Sequence, residues 1–461
     1  MTTVHVVPRT TPQAAEVRVR RTIRPLGVAS LAVLTLLAAA PVSAHPPGVT
    51  ERVSVGPAGA AGDDDSQLAA ISADGRYVAF WSSASTLVAG DTNGTSDVFV
   101  RDRATGVTER VSVDSRERES EGGDRDGVLD TNFGRPAITT DGRYVAFASS
   151  ATNLVKGDRN NAVDIFLRDR LLGTTERLPI VARKTAANGE SSHPALSPDA
   201  RFVAFQSFAD NLVPDDTNFT SDVFLLDREA GTIARVSVTS AGEQATNSSG
   251  SPALSANGRF VVFESSAVLV PGETEDFASD IYLRDVQAGT TEGIGTSGTG
   301  LVGHSGAPAI TPDGRFVAFQ SSDDGLVAGD DNNSFDIFVL DRTTGLLERV
   351  SLDSAGVQGN DWSLAPAISD DGRFVAFQSF ADNLVAGDGN FDYDGFVRDR
   401  VAGTTVRASV RTDSTEGDLS LASFGPSMSA DGTLVAFSSE ADLVAEDTGF
   451  PVDVFVHDET P

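Results

Sequence analysis

Cysteine is absent from all 461 residues. That excludes disulfides, thiolate metal sites, a cysteine nucleophile and a lipid-modified N-terminal cysteine. Lysine stands only at Lys156 and Lys184, and the five histidines are scattered. Basic side chains are scarce overall: 35 against 66 acidic ones, for a formal charge of −31. Such a surface repels phosphate backbones and anionic lipid headgroups, so nucleic acid is set aside as a partner, and an anionic membrane surface with it. No Gly-x-Ser-x-Gly elbow and no phosphate-binding glycine loop appears. Long apolar runs are missing too. The best, residues 26–40, falls short of the roughly 20 residues that a spanning helix needs.

That short run has another use. Arg18, Arg20, Arg21 and Arg24 precede it, and Val42-Ser43-Ala44 follows with small residues suited to cleavage. Residues 1–44 therefore read as a secretory signal peptide, with no membrane insertion once it is removed. The segment carries five arginines and one glutamate, so its loss takes the formal charge to about −35.

What is present is one phrase written seven times. Ser-x-Asp-Gly-Arg-[Tyr/Phe]-Val-Ala-Phe, with small departures, is anchored at Asp74, Asp141, Asp199, Asn257, Asp313, Asp371 and Asp431. A recurring period near 58 residues means a ring or stack of equivalent units. Each unit holds four strand signals. In the fifth, these are 308–311 (A), 315–320 (B), 336–340 (C) and 347–352 (D), with Asp313-Gly314 forming a tight A–B hairpin. Strand B is apolar on both faces, as expected for a blade held between two neighbours. The ends suggest closure: Thr-Glu-Arg-Val-Ser-Val at 50–55 is a strand D ahead of the first unit, and the last unit stops after strand C. Pairing the two removes an exposed sheet edge. The expected fold is all-β: a seven-bladed β-propeller of four-stranded antiparallel blades over residues 45–461, closed by its N-terminal strand.

These motifs, together with Asp-[Val/Ile]-[Phe/Tyr]-[Val/Leu]-x-Asp in strand C, resemble the TolB-type, WD-like β-propeller repeat from about Thr50 to Asp458. The resemblance implies a propeller used for binding, as a scaffold or as an adjunct to an enzyme. TolB also carries an α/β domain ahead of its propeller, and no such pattern precedes the repeats here.

The long B–C and D–A connections are expected on one face, where propellers place recognition. In the B–C loops, side-chain oxygens alternate: Asp91/Asn93/Asp97, Asp158/Asn160/Asp164, Asp216/Asn218/Asp222, Asp330/Asn332/Asp336 and Asp388/Asn390/Asp392/Asp394. Oxygen-rich loops suit calcium, which takes six to eight such ligands. Asx-turns explain the same residues without metal. Trp362, in the loop entering blade six, and Trp81, at the end of the first strand B, are candidate stacking surfaces for a ligand. The expected function is an exported, monomeric propeller that binds an extracellular protein, peptide or glycan on its long-loop face, with calcium as a candidate stiffener. The alternative is a propeller hydrolase or lyase acting on extracellular polysaccharide or peptide.

Overall fold

The computed structural model describes residues 48–121, 133–179, 187–273, 278–295, 303–413, 415, 422–445 and 451–459. The expected signal segment and the middle of the Ser115–Arg135 loop lie outside them. Seven four-stranded antiparallel sheets follow one another along the chain. Blade one covers 66–110, blade two 137–178, blade three 191–235, blade four 249–294, blade five 305–349 and blade six 363–407. Blade seven takes three strands from 423–458 and its fourth from Thr50–Arg52, paired Thr50 to His457, Glu51 to Val456 and Arg52 to Phe455. The chain thus closes on its own beginning, and strand C of blade seven is covered by a fourth strand as in every other blade.

Blade five shows the pattern: strand A is Ser305–Ile310, B is Phe316–Ser321, C is Asp336–Asp341 and D is Leu346–Arg349. Ser305, Ser321 and Asp336 lie at one end of adjacent strands, so the B–C and D–A connections share a face and the tight turns share the other. Strand B is buried apart from the half-buried Gln320. Phe316 and Ala318 pack with Val375 and Phe377 of blade six, whereas Val317 and Phe319 pack with Val262 and Ile281 of blade four. Within each blade an aromatic pair from strands B and C stacks, Phe319 on Phe338 at 5.7 Å and Phe80 on Phe99 at 6.0 Å. Each such ring contributes about 1.5–3 kcal/mol of burial.

The repeated phrase is accounted for residue by residue. Asp313 Oδ1 accepts from Thr311 Oγ1 at 2.6 Å and from the Arg315 N–H at 2.9 Å, forming the turn. Gly314 has φ +76°, and a Cβ there would sit 2.4 Å from the ring of Phe260 in the preceding blade. Arg315 pairs with Asp341 at the end of strand C. At five of the seven junctions the tyrosine or phenylalanine of one blade is the seat for the turn glycine of the next, as Tyr77 is for Gly142 and Phe316 for Gly372; Leu434 seats Gly75, and Ala200 replaces the glycine in blade three.

Candidate binding surface on the long-loop face

The B–C loops gather the predicted oxygens, but onto an arginine. Arg110 of strand D lies 3.0 Å from Asp91 and 3.1 Å from Asp97. Arg177 joins Asp158 and Asp164 at 2.6 and 3.2 Å. Arg235 joins Asp216 and Asp222, Arg349 joins Asp330 and Asp336, and Arg407 joins Asp388 and Asp394. The asparagine between each pair is committed as well. Asn332 Nδ2 donates to Asp336 at 3.0 Å, and its Oδ1 accepts from the Ser334 N–H at 3.0 Å. Asn93, Asn160, Asn218 and Asn390 repeat that arrangement. In four of the five sets the serine two residues after that arginine completes it, as Ser237 does by donating to Asp222 at 2.6 Å; Pro179 takes its place in blade two.

The five sets are therefore Asx-turns clamped by a guanidinium, and an ion between the carboxylates would have to displace it. Asp392 stands apart: among the described residues its carboxylate accepts only from the Tyr393 N–H at 2.8 Å. Burial first, then the neighbouring Asp97, pushes Asp91 up to about 6. Burial likewise pushes Asp164 up to about 6. One arginine shared by two desolvated carboxylates leaves the cluster a charge short. The clamp was missed in reading the sequence, although a signal was there. Blade four departs from the Asp/Asn pattern, and it has Gly293 where its sisters have the strand-D arginine.

Blade six adds an aromatic surface beside its clamp. Trp362 is 48% exposed and meets Phe335 edge-on at 6.1 Å. Phe380 meets Tyr393 edge-on at 5.3 Å, and its N–H donates to the Trp362 carbonyl at 2.8 Å. Phe391, held at φ +58°, is 73% exposed. Polar side chains lace the loops beneath: Asn360 Nδ2 donates to Asp382 at 2.7 Å, and Asn383 Oδ1 accepts from the Asn360 N–H. Blade three has the same lacing through Asn188, Asp210 and Asn211, with Phe208 and Phe219 exposed, but Glu190 occupies the place of Trp362.

Trp81 does not belong to this surface. It is 7% exposed, its ring lies against Phe133, and its Nε1 donates to the Gly134 carbonyl of blade two at 3.3 Å. At the same strand position Gln320 accepts from the Ala365 N–H and Gln378 from the Gly425 N–H, each in the next blade. Trp81 is an inter-blade clip. The expectation that it stacks on a ligand is corrected for that reason.

The strands A line a central cavity of about 460 Å³. Its wall carries His193 and Arg135, which sequence reading had not brought together. Arg135 donates across the channel to the carbonyls of Pro426 at 2.9 Å and Gly425 at 3.1 Å. Among the described residues no carboxylate pairs with it, and burial lowers its pKa to about 10. Burial also lowers the pKa of His193, which lies on strand A rather than in a loop.

Neither a family model nor a curated protein matches this chain. Solved structures do. A prolyl endopeptidase matches at TM-score 0.52 and 11% identity over 86% of this chain, which spans about half (48%) of that protein. The oligogalacturonate lyase of Vibrio parahaemolyticus matches at TM-score 0.52 and 14% identity, over 86% of this chain and 90% of its own. The chain is a seven-bladed β-propeller. A TolB from Agrobacterium tumefaciens aligns at TM-score 0.39 and 18% identity, over 73% of this chain and 90% of its own. The likeness to the endopeptidase and the lyase is that of the fold alone.

Proposed function

We propose that this chain is an exported binding propeller that holds a glycan on its long-loop face, with blade six as the main contact. The observation that carries the reading is the exposed Trp362, Phe380 and Phe391 set, framed by Asn360, Asp382 and Asn383. Flat rings suit the apolar faces of sugar rings, and the amides and carboxylate beside them suit hydroxyls. A peptide segment is the other occupant of the same chemistry. The arginine clamps stiffen the loops around this surface, so binding is independent of calcium. Export rests on the arginine-then-apolar layout of residues 1–44.

A glycan array probed with the full chain tests the reading. Binding without turnover, weakened about tenfold or more by Trp362→Ala, is expected. Binding that Trp362→Ala leaves unchanged contradicts it. A second reading, catalysis on an acidic polysaccharide, draws on one observation: Arg135, without a carboxylate partner among the described residues, and His193, whose pKa burial lowers, line the same channel. Turnover abolished by His193→Ala would favour that alternative.

A further inference from the structure

The turn face carries a second repeated device, and two blade junctions lack it. At five junctions an arginine just after strand C of one blade reaches back toward the preceding blade. Arg342 shows its three contacts. It donates to the Gly314 carbonyl of its own blade at 2.6 Å, stacks 4.2 Å over the Phe260 ring of the preceding blade, and pairs at 3.0 Å with Glu292 of that blade's strand D. Arg170 does the same with Gly142, Tyr77 and Glu109, Arg228 with Ala200, Tyr144 and Glu176, and Arg400 with Gly372, Phe316 and Glu348. Arg103 makes the polar contacts with Gly75 and Glu51 at the junction that closes the ring.

The exceptions are the junctions between blades three and four and between blades six and seven. At the first, Val286 replaces the arginine and Ala234 the glutamate. At the second, Glu459 replaces the arginine and Val406 the glutamate. Open grooves lie at both places: about 360 Å³ lined by Phe202, Ala234 and Val286, and about 780 Å³ lined by Phe374, Val406, Gly432 and Glu459. Arg373 covers one side of the Phe374 ring at 4.6 Å. At the complete junction beside it, Phe316 is covered by Arg315 at 4.4 Å and by Arg400 at 4.9 Å.

We propose that the groove between blades six and seven receives an arginine side chain from a partner polypeptide. The fold itself shows how a guanidinium is held there: on the aromatic ring, against the turn-glycine carbonyl and beside a carboxylate. This groove offers Phe374, Gly432 and Glu459 in those three roles. Glu459 Oε1 is buried with no hydrogen-bond partner among the described residues, and the nearest cationic candidate, His457 Nε2, lies 3.8 Å away. Charge agrees, because a chain at −31 attracts a basic segment. The groove between blades three and four has no acid in the corresponding place and serves as an internal control.

The test titrates N-acetyl-arginine methylamide into the full chain by calorimetry, with the citrulline analogue as the uncharged control. Saturable binding of the arginine probe is expected, at least tenfold weaker for citrulline and at least fivefold weaker in Glu459→Gln. Glu459→Arg combined with Val406→Glu rebuilds the missing clip in cis. That variant should melt higher than the parent and lose the probe. Val286→Arg with Ala234→Glu fills the other groove and should leave binding intact. Absence of binding, equal binding of citrulline, or binding that survives the rebuilt clip overturns the proposal.

Discussion

Arginine and aspartate meet on both faces of this ring, with opposite electrostatic outcomes. On the turn face each aspartate that ends strand C in blades one to six has an arginine of its own, although Arg201 also reaches Glu229. Arg201 Nε and Nη2 reach the two oxygens of Asp227 at 3.2 and 2.8 Å, and the N–H groups of Glu229 and Ala230 add two more bonds. Arg201 first, with those backbone donors, holds Asp227 down at about 2. Asp169 and Asp285 are lowered by Arg143 and Arg259 in the same way. On the loop face one arginine serves two carboxylates in a desolvated setting, and burial raises Asp91 and Asp164 instead. The same two residue types are held as a solvated bidentate pair in one place and as a charge-deficient buried cluster in the other. Geometry and water access, not the presence of an ion pair, decide the sign.

The largest expected difference lies in removing the arginine. Arg349→Met leaves Asp330 and Asp336 buried without a counter-charge and should cost about 3–5 kcal/mol in urea unfolding. Arg315→Met removes a solvent-facing partner and should cost far less. Equal losses would erase the distinction.

Next comes pH. The turn-face aspartates are depressed, so their stabilisation is present above the unfolded value near 4 and is lost as pH falls toward 2. The loop aspartates are raised, so their contribution is fully present in acid and is lost as pH climbs from about 4 to about 6. His193 and His457 are lowered by burial and act in the opposite sense over part of that range. Asp164→Asn isolates the loop term. Its unfolding free energy should fall less than the parent's between pH 4 and 6.5, by on the order of 1 kcal/mol. An unchanged slope would mean that Asp164 titrates normally.

Smaller again is the salt response. Raising ionic strength from about 0.05 to 0.5 M should shrink the modest effect of Arg315→Met while leaving that of Arg349→Met in place, because screening acts on exposed pairs. Chemical unfolding of both variants at the two salt levels reads this directly.

The scaffold was legible in the sequence because the blades repeat the same local chemistry: an Asx turn, in most blades a glycine that must accept a neighbouring ring (Ala200 takes its place in blade three), and an apolar strand on both faces. Closure was legible from the spare strand at 50–55. The aspartate loops were grouped correctly, but their cation was not foreseen, since Arg349 lies thirteen residues beyond Asp336 on a strand that reads as ordinary sheet. Trp81 was misread because its partner, Gly134, belongs to the next blade, and no strand pattern shows which neighbour fills the space beyond a strand end. Arg135 and His193 became a pair only when strands 58 residues apart lined one channel. Local periodicity carries blades. Sites made between blades need the ring.

Arginine pairs with the loop-face carboxylates in all five clusters, so added calcium is expected to leave the protein's stability unchanged. Thermal melts of the full chain in EDTA and then in millimolar calcium test it most directly. Superimposed midpoints are predicted. A clear rise in calcium, with about 2.7 kcal/mol per site at a hundred times the dissociation constant, would contradict it and return Asp388, Asn390, Asp392 and Asp394 to the metal.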